Sequence, residues 1–556
     1  MVLDSVDILQ HLITESEFDC SVFDTLTPNQ LRAALRLLCH TSRLVIDSNV
    51  TTYRDCRRAR DTMLLILPQT IAEQACFALR RFGPLRQLQL EGLDDVALDD
   101  LLCEISHSRA GCCLEVLSLQ RSVFAAATLH ACSPLVPKWM GPTIMPSLLE
   151  LELGGCGALT DAGLEALTSA APALLRLRVT VNALLRRPRL SCPKLRFATL
   201  AICANLMDVA VDHLCLASPL LEELSLWRCS SLTAPSLRGA HLTIVNLSEC
   251  ISLEDRALST LLRHCPRLTN LSLAGCEALS CEIADLAHTV TLGSPPVLPG
   301  GACLTTLDAS DICGMNDALL SAMCQFSPAL RHLDFSRSGA AVQFPQIGGE
   351  HLLTLVGTRC EALSDMTVSS ACDKSPLLSS LMLALCSSLY SPRIHGECLT
   401  DVNLSGCTAL QDGAVTHVCM HSPHLARLSL SLCASLVEPV VRGSCLRRVE
   451  LSHCEKLARP SIGGECIEQL SFSGCSTLED RALEAACAGC PRLAKLSING
   501  CGKLVAARLV SASLQTLSCQ NVPRAVIEAA ADRTFLPLLE RVVSEDVGAP
   551  IVEEVE

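Results

Sequence analysis

The chain has 556 residues, with 44 Lys and Arg against 58 Asp and Glu, for a formal net charge of −14. No global positive field therefore invites nucleic acid or an anionic membrane. It carries 35 Cys but only 11 Phe, 2 Trp and 2 Tyr, and a core drawn from Leu, Val, Ala and Cys points to one small unit used many times rather than several independent domains.

The opening residues 1–20 are acidic and interrupted, unlike a signal or transit peptide. An odd number of Cys without an export signal reads as reduced thiols in the cytosol or nucleus. No stretch reaches the roughly 18 uncharged apolar residues of a membrane helix. Segments at 4–13, 28–39 and 54–66 have apolar residues at helical spacing, and Thr27 or Pro28 can open the second. Residues 1–83 are thus predicted to be a short all-helical region ahead of a repeat array. Such a region can cap the open end that every array presents.

The array is predicted over 84–543. Residues 242–250 fit Leu-x-x-Leu-x-Leu-x-x-Cys, with Leu242, Val245 and Leu247 apolar and Cys250 at the end. The same frame ends at Cys156, Cys203, Cys229, Cys276, Cys360, Cys386, Cys407, Cys433, Cys454, Cys475 and Cys501, and in degenerate form at Asn182, Ile312, Ser338 and Val522. Two looser copies end near Leu93 and Ser122, making about eighteen repeats. From Cys156 onward seven intervals are 26 residues long, six are 21, one is 22 and one is 36. This is the arithmetic of an α/β leucine-rich repeat solenoid, with a parallel sheet on its concave side.

Every 26-residue interval has an Asp five after the frame end and a Pro sixteen after it, as in Asp255 and Pro266. Asp can cap a helix start and Pro cannot continue a helix, so the long repeats are predicted to carry about two and a half helical turns on the convex side. The short repeats lack that room. Pro235 and Gly239, Pro392 and Gly396, Pro439 and Gly443, and Pro460 and Gly464 read as an extended crossing and a tight turn. Interleaved thin units should open the arc relative to an all-helical horseshoe. The 36-residue interval holds a Pro- and Gly-rich stretch at 291–301, part of a surface loop predicted at 290–302. At the far end, residues 535–543 read as a last strand-like edge and 544–556 as a loose acidic tail.

Each frame-end Cys is read as a small buried side chain and a weak donor, because strands about 4.8 Å apart do not converge thiols on one ion. The single local Cys-x-x-Cys, Cys487 and Cys490, is read the same way. On the sheet face, Trp227, Asp308, His332, Asp334, Arg448 and Glu450 are the candidate partner-binding residues, Trp being favoured where proteins dock. Arg176 and Arg178 beside Glu150 and Glu152 read as strand-to-strand charge pairs. No nucleophile, base and orienting group are grouped, and no phosphate-binding loop occurs, so the chain is read as a protein-binding module rather than an enzyme, with no metal or cofactor.

The frame followed by Leu-x-Asp, helix and Pro resembles the cysteine-containing class of leucine-rich repeats in F-box/LRR proteins. The mixture of long and short units is most like the large plant-type members. That resemblance implies an N-terminal F-box binding the Skp adaptor of a cullin-RING (SCF-type) ubiquitin ligase, with a substrate protein held on the concave face. Residues 22–43 are similar to the F-box pattern: Val22, Phe23 and Leu26 match its first apolar helix, Pro28 and Leu31 the turn into the second, and Leu35, Cys39 and Arg43 the later core. The usual Leu-Pro-x-Glu opening is replaced by residues 15–20, and the Trp expected soon after Cys39 is absent. A degenerate F-box at 15–46 or a plain cap both fit. The alternative function is a scaffold in a stable cytoplasmic or cytoskeletal assembly.

Overall fold

A computed structural model describes residues 52–54, 86–91, 105, 113–121, 145–279, 301–523, 526, 536–539, 541–546 and 549–554, with backbone alone at 52–54, 90–91, 541–546 and 549–554. Most of the expected N-terminal helical segments, the candidate adaptor residues Val22, Phe23, Leu26, Pro28 and Leu31, and loop residues 291–300 lie outside that set. The chain forms two compact units, 1–268 and 269–556, described separately.

In the first unit β1 (Thr52–Arg54) lies ahead of the frames, and each frame then contributes one strand: β2 (Gln87–Glu91), β3 (Val116–Gln120), β4 (Glu150–Gly154), β5 (Arg176–Thr180), β6 (Phe197–Ala201), β7 (Glu223–Ser225) and β8 (Ile244–Asn246). Successive strands pair in parallel and in register, from Tyr53 opposite Leu88 to Leu224 opposite Val245. The sheet thus reaches back to Thr52, into a region expected to be all helical. Thr52 and Tyr53 are good strand formers, and pairing with β2 outweighs the weak helical periodicity there.

The second unit continues the pattern with β9 (Asn270–Ser272), β10 (Thr306–Asp308), β11 (His332–Asp334), β12 (Thr354–Val356), β13 (Ser380–Met382), β14 (Asp401–Asn403), β15 (Arg427–Ser429), β16 (Val440–Arg442), β17 (Arg448–Glu450), β18 (Ser461–Gly463), β19 (Gln469–Ser471), β20 (Lys495–Ser497), β21 (Thr516–Ser518), β22 (Arg541–Asp546) and β23 (Ala549–Glu554). All but β16, β18 and β23 pair in parallel as the main sheet, with Leu271 opposite Leu307 and Leu381 opposite Val402. The tail is not loose where the structure describes it, because β23 folds back antiparallel on β22. An unpaired sheet edge offers backbone partners that a short apolar run such as Ile551–Val552 can take.

This is an α/β solenoid of leucine-rich-repeat type. In one rung, Leu399, Val402, Leu404, Cys407 and Leu410 are all fully buried, and each large apolar side chain so buried contributes about 1.5–3 kcal/mol. The residue before every frame end, from Gly155 to Asn521, has positive φ. That left-handed residue turns the chain off the strand while its N–H still reaches the next rung, as from Leu432 to the Ser452 carbonyl at 2.7 Å.

The long repeats carry α1 (Asp161–Ser169), α2 (Asp208–Ala217), α3 (Asp255–His264), α4 (Asp317–Phe326), α5 (Asp365–Lys374), α6 (Asp412–His421) and α7 (Asp480–Gly489), matching the expected position and length. The Asp that starts each helix, however, does not cap it. The N-cap is the preceding residue, and Thr160, Asn316 and Ser364 accept a backbone N–H there.

Six of these Asp instead reach the short unit that follows. Asp161 accepts the backbone N–H groups of Arg186 and Arg187, Asp208 those of Thr233 and Ala234, and Asp317 those of Gln343 and Phe344. Asp365 takes Tyr390 and Ser391, Asp412 takes Val437 and Glu438, and Asp480 takes Val505 and Ala506, at 2.8–3.1 Å. One turn later Glu165, Asp212, Ser321, Ser369 and Glu484 accept a further N–H from the same crossing. A short unit has no helix to satisfy its backbone, so its neighbour's helix supplies the acceptors.

Between Cys433 and Cys475 two short units follow one another, and there the second crossing has no preceding helix. It pairs backbone to backbone instead: β18 runs parallel to β16, with Val441 opposite Ile462.

Candidate functional site: the open face of the sheet

Because strand side chains alternate, the residues flanking each buried central position stand on the face away from the core. In-register pairing stacks them into columns. In the first unit Glu150 faces Arg176 and Glu152 faces Arg178, and the ions meet at 3.4 and 3.6 Å, as the sequence predicts. Arg176 also lies over the Phe197 ring, 4.4 Å from its centroid, and Arg196 pairs with Glu222 at 2.5 Å.

Trp227 sits at the upper rim of this face, half-buried. Its indole N–H donates to Glu249 Oε1 at 3.2 Å, Arg228 Nε meets Glu249 Oε2 at 2.6 Å, and the Arg228 guanidinium stands 5.4 Å from the Trp227 ring centroid. Arg228 and Glu249 escape a reading of strand positions, because they occupy the left-handed turn of successive rungs. The signal was there: each is the residue before a frame-end Cys. The three side chains hold one another, so docking against Trp227 would cost little further rotamer entropy.

In the second unit the structure brings Asp308, His332 and Asp334 onto neighbouring strands, Thr306 opposite His332 and Asp308 opposite Asp334. His332 is exposed. Asp308 is engaged by the sheet itself: Oδ1 accepts the Ser310 N–H and hydroxyl at 3.1 and 2.7 Å, and Oδ2 accepts the Ser272 hydroxyl at 3.0 Å. Asp334 Oδ1 likewise accepts the Ser336 N–H at 2.8 Å. Arg448 and Glu450 pair along one strand at 2.6 Å, and Glu450 Oε2 accepts the Ser429 hydroxyl at 3.1 Å. Trp227 belongs to the first unit and the other five candidates to the second.

Beneath this face runs the thiol column. Cys229, Cys250, Cys407, Cys433, Cys454, Cys475 and Cys501 donate S–H to a carbonyl of the preceding rung at 2.9–3.2 Å. This is the small buried donor expected from the sequence. Burial pushes the Cys250, Cys407, Cys454 and Cys501 thiols up to about 11. Cys487 and Cys490 are buried too, pushed by desolvation to about 12 and about 11, so neither is an accessible thiolate. Asn182 replaces Cys at one frame end and makes more bonds. Its Nδ2 donates to the Cys156 and Leu159 carbonyls, and its Oδ1 accepts from the Leu184 and Leu185 N–H groups. Among the described residues, no group of three or more His, Cys, Asp and Glu could hold a metal ion, and no helix is long and apolar enough to cross a membrane.

No family model matches the chain. Comparison with curated proteins gives no match. Among solved structures it is similar to a chain in the crystal structure of the Rad7 and Elc1 complex in yeast, at 15% identity over 74% of this chain and 85% of that one, with a TM-score of 0.31. The solenoid assignment rests on the register and burial described above.

Proposed function

We propose that the chain is a non-catalytic protein-binding receptor that presents a substrate protein to a cullin-RING ubiquitin ligase of SCF type. Residues 22–31 dock the Skp adaptor, and the open sheet face holds the substrate. The observation that carries the binding role is the Trp227, Arg228 and Glu249 cluster, an aromatic anchor already fixed on a rigid face whose neighbouring column mixes charged residues with Phe197 and Ile244. The adaptor role rests on the F-box-like pattern of Val22, Phe23, Leu26, Pro28 and Leu31. Working as a recruiter, such a chain needs no cofactor and acts in the cytoplasm or nucleus.

The test is a pull-down with purified Skp adaptor, comparing the intact chain with Phe23→Asp and Leu26→Asp variants that keep the circular dichroism of the parent. Binding by the intact chain, lost in both variants, is the expected result. No binding by the intact chain would overturn the Skp contact and favour the scaffold.

A further inference from the structure

One column of the open face in the second unit changes character partway along. In register, Ser272 stands opposite Asp308, Asp308 opposite Asp334, Asp334 opposite Val356, Val356 opposite Met382, and Met382 opposite Asn403. Beyond Asn403, as far as Ser518, every position of that column is Ser or Glu. Val356 and Met382 are therefore the one apolar break in the column between β9 and β21. Both are half-buried, on the face away from the core.

The two carboxylates beside that break are a second irregularity. Neighbouring strands stand about 4.8 Å apart, and like charges directly opposite repel. Neutral donors engage them: Asp308 accepts the Ser272 and Ser310 hydroxyls, and Asp334 accepts the Ser336 N–H through Oδ1. Among the described residues Asp334 Oδ2 has no donor, and neither Asp has an ion pair with Lys or Arg. Arg337, from the same repeat as Asp334, pairs with Asp311 instead.

We propose that this column docks a basic and apolar segment of a partner protein. It is an extended stretch whose Lys or Arg is shared by Asp308 and Asp334 and whose aliphatic side chain covers Val356 and Met382. The midpoints of the two pairs lie two rungs, about 10 Å, apart, a distance that three residues of extended chain span. The charges set the orientation of the segment, and the apolar contact shields them from water. Past Met382 the apolar surface reaches the rim, where Leu385 is 39% exposed. This site rests on the reading of the open face as protein-binding, and it uses neither Trp227 nor the adaptor contact.

Fluorescence anisotropy of the full chain with a labelled peptide, Ser-Lys-Lys-Ser-Leu-Leu-Ser, tests the proposal. Each key residue is doubled because successive side chains of an extended peptide point opposite ways. Control peptides carry Glu for both Lys, or Ser for both Leu. The parent is expected to bind the first peptide about tenfold more tightly than either control. Asp308→Asn combined with Asp334→Asn keeps an acceptor oxygen at each position. It should erase the preference for Lys over Glu and keep that for Leu over Ser. Met382→Ser should do the reverse. A parent that does not discriminate among the peptides, or variants that fold and keep both preferences, overturns the proposal. Adaptor binding without peptide discrimination would remove this site alone, and discrimination without adaptor binding would remove the ligase role alone.

Discussion

Val181 and Ile202 hold β-branched side chains at φ of +58° and +56°, a conformation that costs a non-glycine residue about 1–2 kcal/mol. Five other repeats put Gly at the same place, among them Gly406 and Gly474. The turn is therefore imposed by the fold and not by local preference. Val181 is 52% exposed, so little packing is lost on shortening it. Val181→Gly should raise stability by about 0.5–1 kcal/mol after the greater unfolded-state entropy of Gly is counted, read as a higher melting midpoint. A lower midpoint would show that the turn is not strained. The thiols make a second case at this scale. Thiols ordinarily near 9.0 are held up to about 11 at Cys250, Cys407, Cys454 and Cys501 by burial. Below pH 9 folded and unfolded thiols are both protonated. Between pH 9 and 11 the unfolded chain loses protons that the folded chain keeps, so stability falls by at most about 1.4 kcal/mol per pH unit for each such thiol. Circular dichroism under reducing conditions should show unfolding as pH rises from 9 towards 11. Full structure retained above pH 11 would contradict this burial.

The helices and crossings show where sequence reading succeeds and where it stops. Helix positions were legible because Asp and Pro recur at fixed offsets and apolar residues between them repeat at helical spacing. The role of the Asp was not. Its preference for a helix start is the same whether it caps that helix or reaches sideways, and only the rung spacing decides. The Asp followed four residues later by Glu, Asp, Ser or Thr, as in Asp208 with Asp212 or Asp365 with Ser369, was the available signal, since i and i+4 share a face. Likewise Arg176 with Glu150 was legible from register, but Asp308's ties to Ser272 and Ser310 were not, because side-chain hydrogen bonds are set by rotamers that no periodicity encodes. Asp412→Ala removes the acceptor for the Val437 and Glu438 N–H groups. It should destabilise the chain by about 1–3 kcal/mol, with Asp412→Asn, which keeps one acceptor oxygen, costing less. An unchanged denaturation midpoint in Asp412→Ala would show that water replaces the carboxylate at no cost.

At the scale of the molecule, each frame is one rung and each rung completes the backbone bonding of its neighbour. A whole unit is then an interchangeable part, whereas a fragment of one is not. The two consecutive short units offer the clearest place to ask. Removing residues 455–475, one 21-residue unit, brings α7 directly after the β16 crossing. Elsewhere that long-after-short junction is closed by bonds such as Glu254 N–H to the Thr233 carbonyl at 2.8 Å and Gln411 N–H to the Tyr390 carbonyl at 2.9 Å. The measurement is thermal unfolding of this deletion beside one that removes only 458–475 from the same place. The whole-unit deletion is expected to melt cooperatively with the parent's circular dichroism per residue, and the shorter one to unfold or aggregate. Equal behaviour of the two, in either direction, would contradict the assignment of one frame to one rung.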